Sequence, residues 1–273
     1  MGLVYALIAA GLSLIFGLME LVNFAHGEFL MVAMYVTFFA WSLAHLDPVV
    51  ALPLAALALA ALGWAVYHGI IRWVLGGPML AQVFATFGLA VLLRAGAQFV
   101  WGVDFRVVKD PWLAGRVSLG GVFVGLPQLA ASALALAAFV ALWWFLARTE
   151  TGLALMATAQ DRQAAALMGI DTQRMFALGW AIGSACVGVA GGLLAMFYYV
   201  FPEVGSVFAL IAYVTVALGG FGNVPATLLA GVLVGLVEVF AGLLIAPAMK
   251  YAVVFLLYLA VVLWRPRGLF GRF

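Results

Sequence analysis

The sequence predicts an all-α polytopic membrane protein of about eight transmembrane or partly re-entrant helices. Hydrophobic residues make up 68% of the chain and charged residues 8%, whereas a soluble domain carries about 25% charged residues. The apolar runs are about 20 residues long, the length that a helix needs to cross a bilayer, whereas membrane β-strands alternate over about 10 residues. These runs continue through the whole chain, so we expect a single transmembrane domain over residues 1–273.

Short polar breaks divide the apolar sequence into separate spans. The predicted spans are residues 2–22, 29–46, 49–67, 79–100, 126–147, 175–200, 225–244 and 249–264. A further apolar stretch, 208–218, would rise only about 16 Å as a helix, about half of the hydrocarbon core. This stretch is either a short tilted span or a re-entrant helix, and the sequence leaves both open.

The arginines predict which ends of the spans face the cytoplasm, because cytoplasmic loops carry an excess of Lys and Arg. The 68–78 loop, the 148–174 loop and the C-terminal tail contain Arg72, Arg148, Arg162, Arg174, Arg265, Arg267 and Arg272. If 208–218 crosses the membrane, these segments share one side, with the N-terminus outside and the C-terminus cytoplasmic. The 102–125 loop would then lie outside, although it also holds three basic residues, which weakens the prediction without reversing it.

Several classes of chemistry are not supported. No G-x-x-x-x-G-K-[ST] phosphate loop occurs, since neither Lys109 nor Lys250 follows a glycine, and H-E-x-x-H and G-x-S-x-G motifs are also missing. Cys186 is the lone cysteine and reads as a packing residue. The net charge of +2 is too small to indicate nucleic-acid binding. We therefore expect no catalytic residue, metal or cofactor, and, because no basic stretch precedes the first span, no cleavable signal peptide.

The 148–174 loop is a polar, helix-forming island in an otherwise apolar chain. Within it, residues 163–169 read QAAALMG, a short amphipathic helix closed by a glycine. A membrane protein that keeps such a helix between two spans, with little else outside the bilayer, offers it to a soluble partner. The residues expected to contact that partner are Ala157, Gln160, Asp161, Arg162, Ala164, Ala165 and Gly169.

Ionisable residues inside membrane spans point to function by default, because each is costly without a partner. Glu20, Asn23, His26 and Glu28 cluster at the inner ends of the first two spans. Helix capping by Asn23 and a favourable position for Glu28 at a helix N-terminus explain two of them structurally. His26 is harder to explain in this way, and we expect it to face a central passage or a partner.

Uncharged polar groups in the spans suit a polar solute in transit, although interhelical hydrogen bonds explain them equally well. The candidate path residues are Asn23, His26, Glu28, Gln82, Thr86, Thr215, Gly219, Gly220 and Asn223. Arg94 and Glu238 fall toward the outer ends of their spans, where they either pair with each other or line an outer vestibule. The pairs Gly179/Gly183, Gly188/Gly192 and Gly231/Gly235 predict close helix packing.

Five stretches of the chain match a known pattern in order and spacing. They read YALIAAGLSLIFG (5–17), VNFAHGE (22–28), TGLALMATAQD with AALMGID (151–161 and 165–171), VALGGFGNVPA (216–226) and LWRPRGLF (263–270). In these stretches the chain resembles the LivH-type integral-membrane permeases of bacterial branched-chain amino acid ABC importers. The chain begins at the first of these motifs and lacks the few residues that usually precede it.

The resemblance implies one subunit of an importer in the bacterial inner membrane, surrounded by membrane lipid. Such a complex contains a second permease subunit, identical or related, two cytoplasmic ABC ATPase subunits and an extracytoplasmic binding protein. The 152–171 segment would hold the coupling helix that docks in an ATPase groove, and Q-A-A-x-x-x-G at 163–169 looks like the general importer motif E-A-A-x-x-x-G. ATP hydrolysis would occur in the partners, so the chain itself is expected not to be an enzyme.

Alternatives stay open within and beyond this family. The wider family includes permeases for urea, short amides and carboxylates, and the binding protein, another chain, largely sets the solute. A stand-alone secondary transporter is a rival, but it needs ion-coupling groups near the midplane. The charged residues here lie mostly at the predicted span ends, which counts against it. A membrane enzyme is a poorer fit, since no nucleophile is paired with a base.

Overall fold

The computed structural model describes residues 1–109, 111–119 and 122–270, so that Arg272 lies outside the described residues. Helices dominate. They are α1 Gly2–Met19, α2 His26–Ala44, α3 Pro48–Val66, a π-helical turn Tyr67–Ile71, α4 Arg72–Val74, α5 Met79–Trp101, α6 Leu126–Arg148, α7 Glu150–Gln160, α8 Arg162–Leu167, α9 Thr172–Leu194, α10 Val204–Gly219, α11 Val224–Leu244, a 3₁₀ turn Pro247–Met249 and α12 Lys250–Trp264. Strands β1 Arg116–Leu119 and β2 Val122–Gly125 form an antiparallel hairpin that the sequence did not predict.

Eight helices among the described residues are long and apolar enough to cross a membrane, which confirms the predicted all-α polytopic fold. The third of them is longer than predicted, because α3 continues through the π-helical turn to Val74. The doubtful stretch at 208–218 forms α10, one continuous helix of 16 residues. At 1.5 Å per residue α10 is about 24 Å long, still shorter than the hydrocarbon core of about 30 Å.

α1 and α9 form the centre of the bundle, since 72% of each span is buried inside the protein. α3 packs along α9, and α1 is enclosed by α9, α10 and α11. By contrast, only 22% of α5 and 11% of the span that ends with α12 are buried. The outer helices therefore present broad faces to lipid or to other subunits, whereas α1 and α9 are mostly enclosed by other helices.

The central helices approach closely because glycines line their contacts. A Cβ at Gly11 in α1 would overlap the backbone carbonyl of Gly183 in α9, and one at Gly188 would meet the Ala55 carbonyl of α3 at 2.7 Å. Gly231 of α11 packs in the same way on Ala6. The small-residue pairs predicted from the sequence thus form helix contacts, as expected where packing rather than the hydrophobic effect joins helices in lipid.

The two ends of the bundle are well separated. At one end the turn after α10 meets the C-terminus of α1, where Gly222 lies against Gly17, and the amide of Leu269 donates to the carbonyl of Leu218 at 2.8 Å. The α7–α8 loop lies at this end, which we name the loop end. At the other end the amide of Trp112 donates to the Asp47 carboxylate at 2.7 Å. Which end faces the cytoplasm stays a prediction.

Candidate functional site

The connection between α1 and α2 does not run along the surface but turns back into the bundle. α1 ends where Glu20 takes a left-handed conformation, with φ 53°. His26, the first residue of α2, brings its Nε2 to 2.9 Å from the carbonyl oxygen of Ile8. Ile8 lies eleven residues, or about 16 Å, before the C-terminal end of α1. Residues 20–25, named here the fold-back segment, therefore carry the start of α2 deep into the bundle, beyond the inner position that the sequence indicated.

Side chains from two other helices hold the fold-back segment in place. The Tyr213 hydroxyl of α10 donates to the carbonyl of Asn23 at 2.6 Å. The Thr86 hydroxyl of α5 lies 3.3 Å from the carbonyl of Val22. The Asn23 side chain accepts a bond from the amide of Ala25 at 3.1 Å, so it turns the segment rather than capping α2 directly. Non-helical backbone at this depth is tolerated only within protein or beside a water-filled cavity.

Two polar atoms of this region have no hydrogen-bond partner among the described residues. They are Nδ2 of Asn23 and Nδ1 of His26, and both residues are fully buried. A buried donor or acceptor without a partner costs about 1–3 kcal/mol. Two unpaired polar atoms thus lie at the point where α1, α2, α5 and α10 meet.

An ion pair joins the start of α2 to the middle of α5. Arg94 binds the carboxylate of Glu28, whose side chain is 3% exposed, while that of Arg94 is 37% exposed. The expected pairing of Arg94 with Glu238 is wrong. Glu238 instead accepts hydrogen bonds from Tyr5 at 2.7 Å and Lys250 at 2.8 Å. The fold-back of residues 20–25 explains the difference, because it raises Glu28 to the level of Arg94.

Further polar groups lie beside Arg94, the partly exposed member of this ion pair. Gln98, one turn after Arg94, donates to the Glu203 carboxylate just before α10, at 2.5 Å. Charged groups facing the centre of a bilayer are costly and normally face a bundle interior or a water-filled space. We name Arg94, Gln98, Glu203 and Tyr213 the polar face. Its composition suits water or another subunit better than lipid.

The exposed α7–α8 loop is shaped by local capping. The Thr149 side chain accepts from the amide of Gly152 at 3.0 Å and starts α7, and Asp161 accepts from the amides of Gln163 and Ala164, each at 2.9 Å, and starts α8. Gly169 follows α8 with φ +85°, a left-handed conformation that glycine adopts without steric penalty. The loop is therefore a defined helical corner rather than a flexible tether.

The apex of this loop carries two large apolar side chains. Leu167, the last residue of α8, is 88% exposed, and Met168, which follows it, is 83% exposed. Adjacent exposed apolar side chains in a polar loop are candidates for a protein–protein contact. Neither residue belongs to the contact set expected from the sequence. Their apolar character could have indicated a contact, since Leu167 and Met168 occupy variable positions of the Q-A-A-x-x-x-G stretch in a polar loop.

Comparison with known proteins identifies the family of this chain. A family model described as "Branched-chain amino acid transport system / permease component" matches residues 1–262. The chain belongs to this family. As a permease component it is a multi-pass membrane protein without a catalytic role of its own, as the sequence motifs led us to expect.

Curated relatives of the permease cover nearly its whole length. The high-affinity branched-chain amino acid transport system permease protein BraD of Pseudomonas aeruginosa is 31% identical over 284 residues, 99% of this chain and 92% of BraD. LivH of Escherichia coli K12, which carries the same descriptive name, is 30% identical over 291 residues, 100% of this chain and 92% of LivH. A probable LivH of Methanocaldococcus jannaschii is 24% identical over 85% of this chain. No solved structure matches the permease.

The structure groups only part of the predicted path set. Asn23, His26, Glu28 and Thr86 meet at the fold-back segment, as described above. Gln82 holds the loop before α5 by donating to Leu75 and Gly77 carbonyls at 3.2 and 3.3 Å. The hydroxyl of Thr215 bonds within its own helix, and Asn223 caps α11 and donates to the Phe270 carbonyl at 3.2 Å. Together with Gly219 and Gly220, Asn223 lies in the turn at the loop end.

The predicted contact set of the α7–α8 loop also divides by exposure. Five of its members are exposed: Gln160, Asp161, Arg162, Ala164 and Gly169. Ala157 is half-buried and Ala165 is 4% exposed, so these two support the loop from within. The guanidinium of Arg162 lies 4.9 Å from the ring centre of Phe176 in α9. Whether these residues touch a partner stays a prediction.

Proposed function

We propose that the permease is a transmembrane subunit of an ATP-driven importer for branched-chain amino acids in the bacterial inner membrane. The observation that carries this proposal is the family match over residues 1–262, joined by relatives named for that transport system. Permeases of related systems for urea, amides or carboxylates are the alternative. Nothing in the described side chains favours one of those solutes.

The proposed partners are a second permease subunit, two cytoplasmic ATPases and an extracytoplasmic binding protein. The ATPases would dock at the α7–α8 loop, with Leu167 and Met168 inserted in a groove and Gln160, Asp161 and Arg162 around them. The binding protein would approach the opposite end, near the β1–β2 hairpin. This arrangement would put the loop end in the cytoplasm, in agreement with the arginine distribution.

Packing supplies a route from the loop to the fold-back segment. α7 lies against α1, α6 and α9, and its Leu155 is fully buried. A displacement of α7 by the ATPases would therefore act on the C-terminal end of α1, directly before residues 20–25. For ATP to drive the change, the partner must bind the outward-open and inward-open states with different affinity.

The solute path would follow the polar face and the fold-back segment. Asn23 and His26 offer unpaired polar atoms, and the partly exposed guanidinium of Arg94 offers a cation, which suits the carboxylate of an amino acid. Of the remaining candidates, Thr86 lies beside the fold-back segment. Gln82 and Thr215 would support the surrounding helices, and Gly219, Gly220 and Asn223 lie in the turn at the loop end. Alanine substitution at the fold-back positions is expected to reduce uptake while assembly with the partners continues.

Docking can be tested by co-purification with co-expressed ATPase subunits. The variant Leu167→Ser/Met168→Ser removes the exposed apolar pair, and we expect it to retain the ATPases at least about tenfold less well, as for an interface hot spot. Met79→Ser/Leu80→Ser is a matched control, since this Met-Leu pair is also exposed, at 70% and 67%, at the start of α5. Equal retention by both variants would place the ATPase contact elsewhere.

Solute and energy source can be tested together in proteoliposomes that contain the full complex. We expect labelled leucine to accumulate only with the binding protein and with ATPases competent to hydrolyse ATP. Uptake that persists with inactive ATPases would favour a secondary transporter instead. Accumulation of urea or a carboxylate, but not of leucine, would keep the importer and reassign its solute.

A further inference from the structure

A cavity of about 770 Å³ opens at the loop end between the π-helical turn after α3 and the start of α9. It lies outside the polar face and the fold-back segment. One wall carries His68 and Arg72, and the opposite wall carries Asp171 and Arg174. Trp64 and Trp73 complete its rim and are 52% and 71% exposed. π-helical turns within α-helices frequently mark functional positions.

The charged side chains of this cavity are two arginines and one aspartate, so positive charge is in excess. Neither Arg72 nor Arg174 forms an ion pair within the part of the chain that the structure describes. The carboxylate of Asp171 contributes one negative charge to the same lining and caps α9, where it accepts from the backbone amide of Arg174 at 3.1 Å. The guanidinium of Arg72 lies 4.4 Å from the ring centre of Trp73, which holds it in place. Two guanidinium groups thus face a ligand-sized space.

An apolar stripe on α3 leads directly to the cavity. Val50, Leu54, Leu57, Ala61 and Trp64 are all exposed. Their spacing of three and four residues places them on one face of the helix. This face continues at His68, eighteen residues after Val50, in the wall of the cavity. The stripe has the character of a lipid-facing surface, and tryptophan, a residue enriched at membrane interfaces, stands at its cavity end.

We propose that the cavity binds the headgroup of an anionic phospholipid whose acyl chains lie along the α3 stripe. The phosphate would be held by Arg72 and Arg174, since guanidinium forks match phosphate oxygens in geometry and charge. His68 and the indole rims would contact the glycerol and headgroup atoms. The assignment does not depend on the proposed transport activity.

The apolar stripe distinguishes a lipid from other anionic ligands. A free phosphate would need the arginines but not the stripe, and a soluble protein would not reach along α3 into the membrane. Basic pockets between transmembrane helices are known positions for anionic headgroups. The continuous change from apolar stripe to tryptophan rim to arginine pair follows the profile of a phospholipid from its tail to its phosphate.

The test is native mass spectrometry of the purified, detergent-solubilised chain titrated with phosphatidylglycerol or with phosphatidylcholine of the same acyl chains. We expect selective retention of phosphatidylglycerol. Each arginine near an anionic lipid contributes about fivefold in affinity, so Arg72→Gln/Arg174→Gln is expected to lose about 25-fold. Arg116→Gln/Arg265→Gln is the matched control, because both residues are exposed and lie outside the cavity. Arg72→Lys/Arg174→Lys keeps both charges but loses the guanidinium forks, and we expect it to bind phosphatidylglycerol more weakly than the wild-type chain and more tightly than the glutamine variant.

Three outcomes would overturn the proposal. Equal retention of both lipids would show an unselective lipid surface. Thermal stabilisation by inorganic phosphate alone, without a retained lipid, would assign the cavity to a soluble anion. Protection of a Trp73→Cys variant from thiol labelling by co-expressed ATPases, again without a retained lipid, would make the cavity a protein contact.

Discussion

The ion pair of Glu28 and Arg94 shows how burial in the bundle decides whether a charged side chain needs a partner. Glu28 is almost completely buried, and the start of α2 would be an unfavourable place for its charge without Arg94. Arg94 is half-exposed on a helix that has few buried residues of its own. The pair therefore neutralises a buried carboxylate and leaves part of a cation accessible on the polar face.

This arrangement predicts unequal effects of single and double substitutions. Arg94→Gln strands the buried Glu28 carboxylate, and we expect it to lower the free energy of unfolding by about 2 kcal/mol, below the 3–5 kcal/mol of fully buried pairs because Arg94 is partly solvated. Glu28→Gln/Arg94→Gln removes both charges and should recover most of that loss. Thermal melting in detergent completes the double-mutant cycle. Additive losses would show that the two side chains do not interact.

The sequence indicated Glu28 as a candidate path residue and Arg94 as part of a pair with Glu238 or of an outer vestibule, but it could not pair Arg94 with Glu28. Hydropathy gives the order of the spans, and on that basis Arg94 and Glu238 share a depth. The actual partner depends on residues 20–25 running back along α1, which requires the His26–Ile8, Thr86–Val22 and Tyr213–Asn23 contacts to form together. Contacts between residues up to 190 positions apart leave no local pattern in the chain.

At the scale of single elements, α8 depends on its cap. Six residues are too few for a helix that is stable alone, and Asp161 supplies two of the missing backbone partners. Asp161→Asn keeps an acceptor at the cap, whereas Asp161→Ala removes it and is expected to cost about 1 kcal/mol locally. Hydrogen exchange of the amides at 162–168 should accelerate severalfold in the alanine variant alone. Equal acceleration in both would show that charge, not capping, orders α8.

The contact between α1 and α9 depends on the absence of a side chain. A methyl group at Gly11 would overlap the Gly183 carbonyl, and both helices are central and cannot move apart freely. Gly11→Ala is expected to destabilise the permease by about 1–3 kcal/mol, the usual effect of overpacking. Gly242→Ala in α11 is the control, because no atom lies within 4 Å of its added Cβ. Unchanged melting of the Gly11 variant would show that the helices separate easily.

Most elements could be predicted from the sequence because each apolar run of about 20 residues has one stable solution in lipid, a helix. The exceptions are instructive. The β1 and β2 strands have four residues each, too few for a periodic signal. α10 begins at Val204, before the apolar stretch at 208–218, and its first turn includes Gly205, which packs on Gly27 of α2. Local composition determined the spans, whereas tertiary contacts determined their ends.

For the molecule as a whole, the two ends of the bundle must face opposite sides of the membrane. Met168 at the loop end and Trp112 at the other end are 83% and 76% exposed. With a membrane-impermeable maleimide in spheroplasts, we expect Trp112→Cys to react and Met168→Cys to react only after permeabilisation. The wild-type chain supplies the blank, since its lone cysteine, Cys186, is buried. The reverse pattern would place the α7–α8 loop outside and remove the proposed ATPase contact.

The same labelling decides how α10 contributes to the topology. α10 connects a segment near Tyr199 with the turn at Phe221, which packs on Phe16 near the loop end of α1 with ring centres 4.5 Å apart. Both side chains are about half exposed, at 59% and 47%. If α10 crosses, Tyr199→Cys reacts from outside and Phe221→Cys only after permeabilisation. Reaction of both from one side would make α10 re-entrant. That outcome would contradict the structure, in which the C-terminal tail reaches the loop end through the hydrogen bond from the amide of Leu269 to the carbonyl of Leu218.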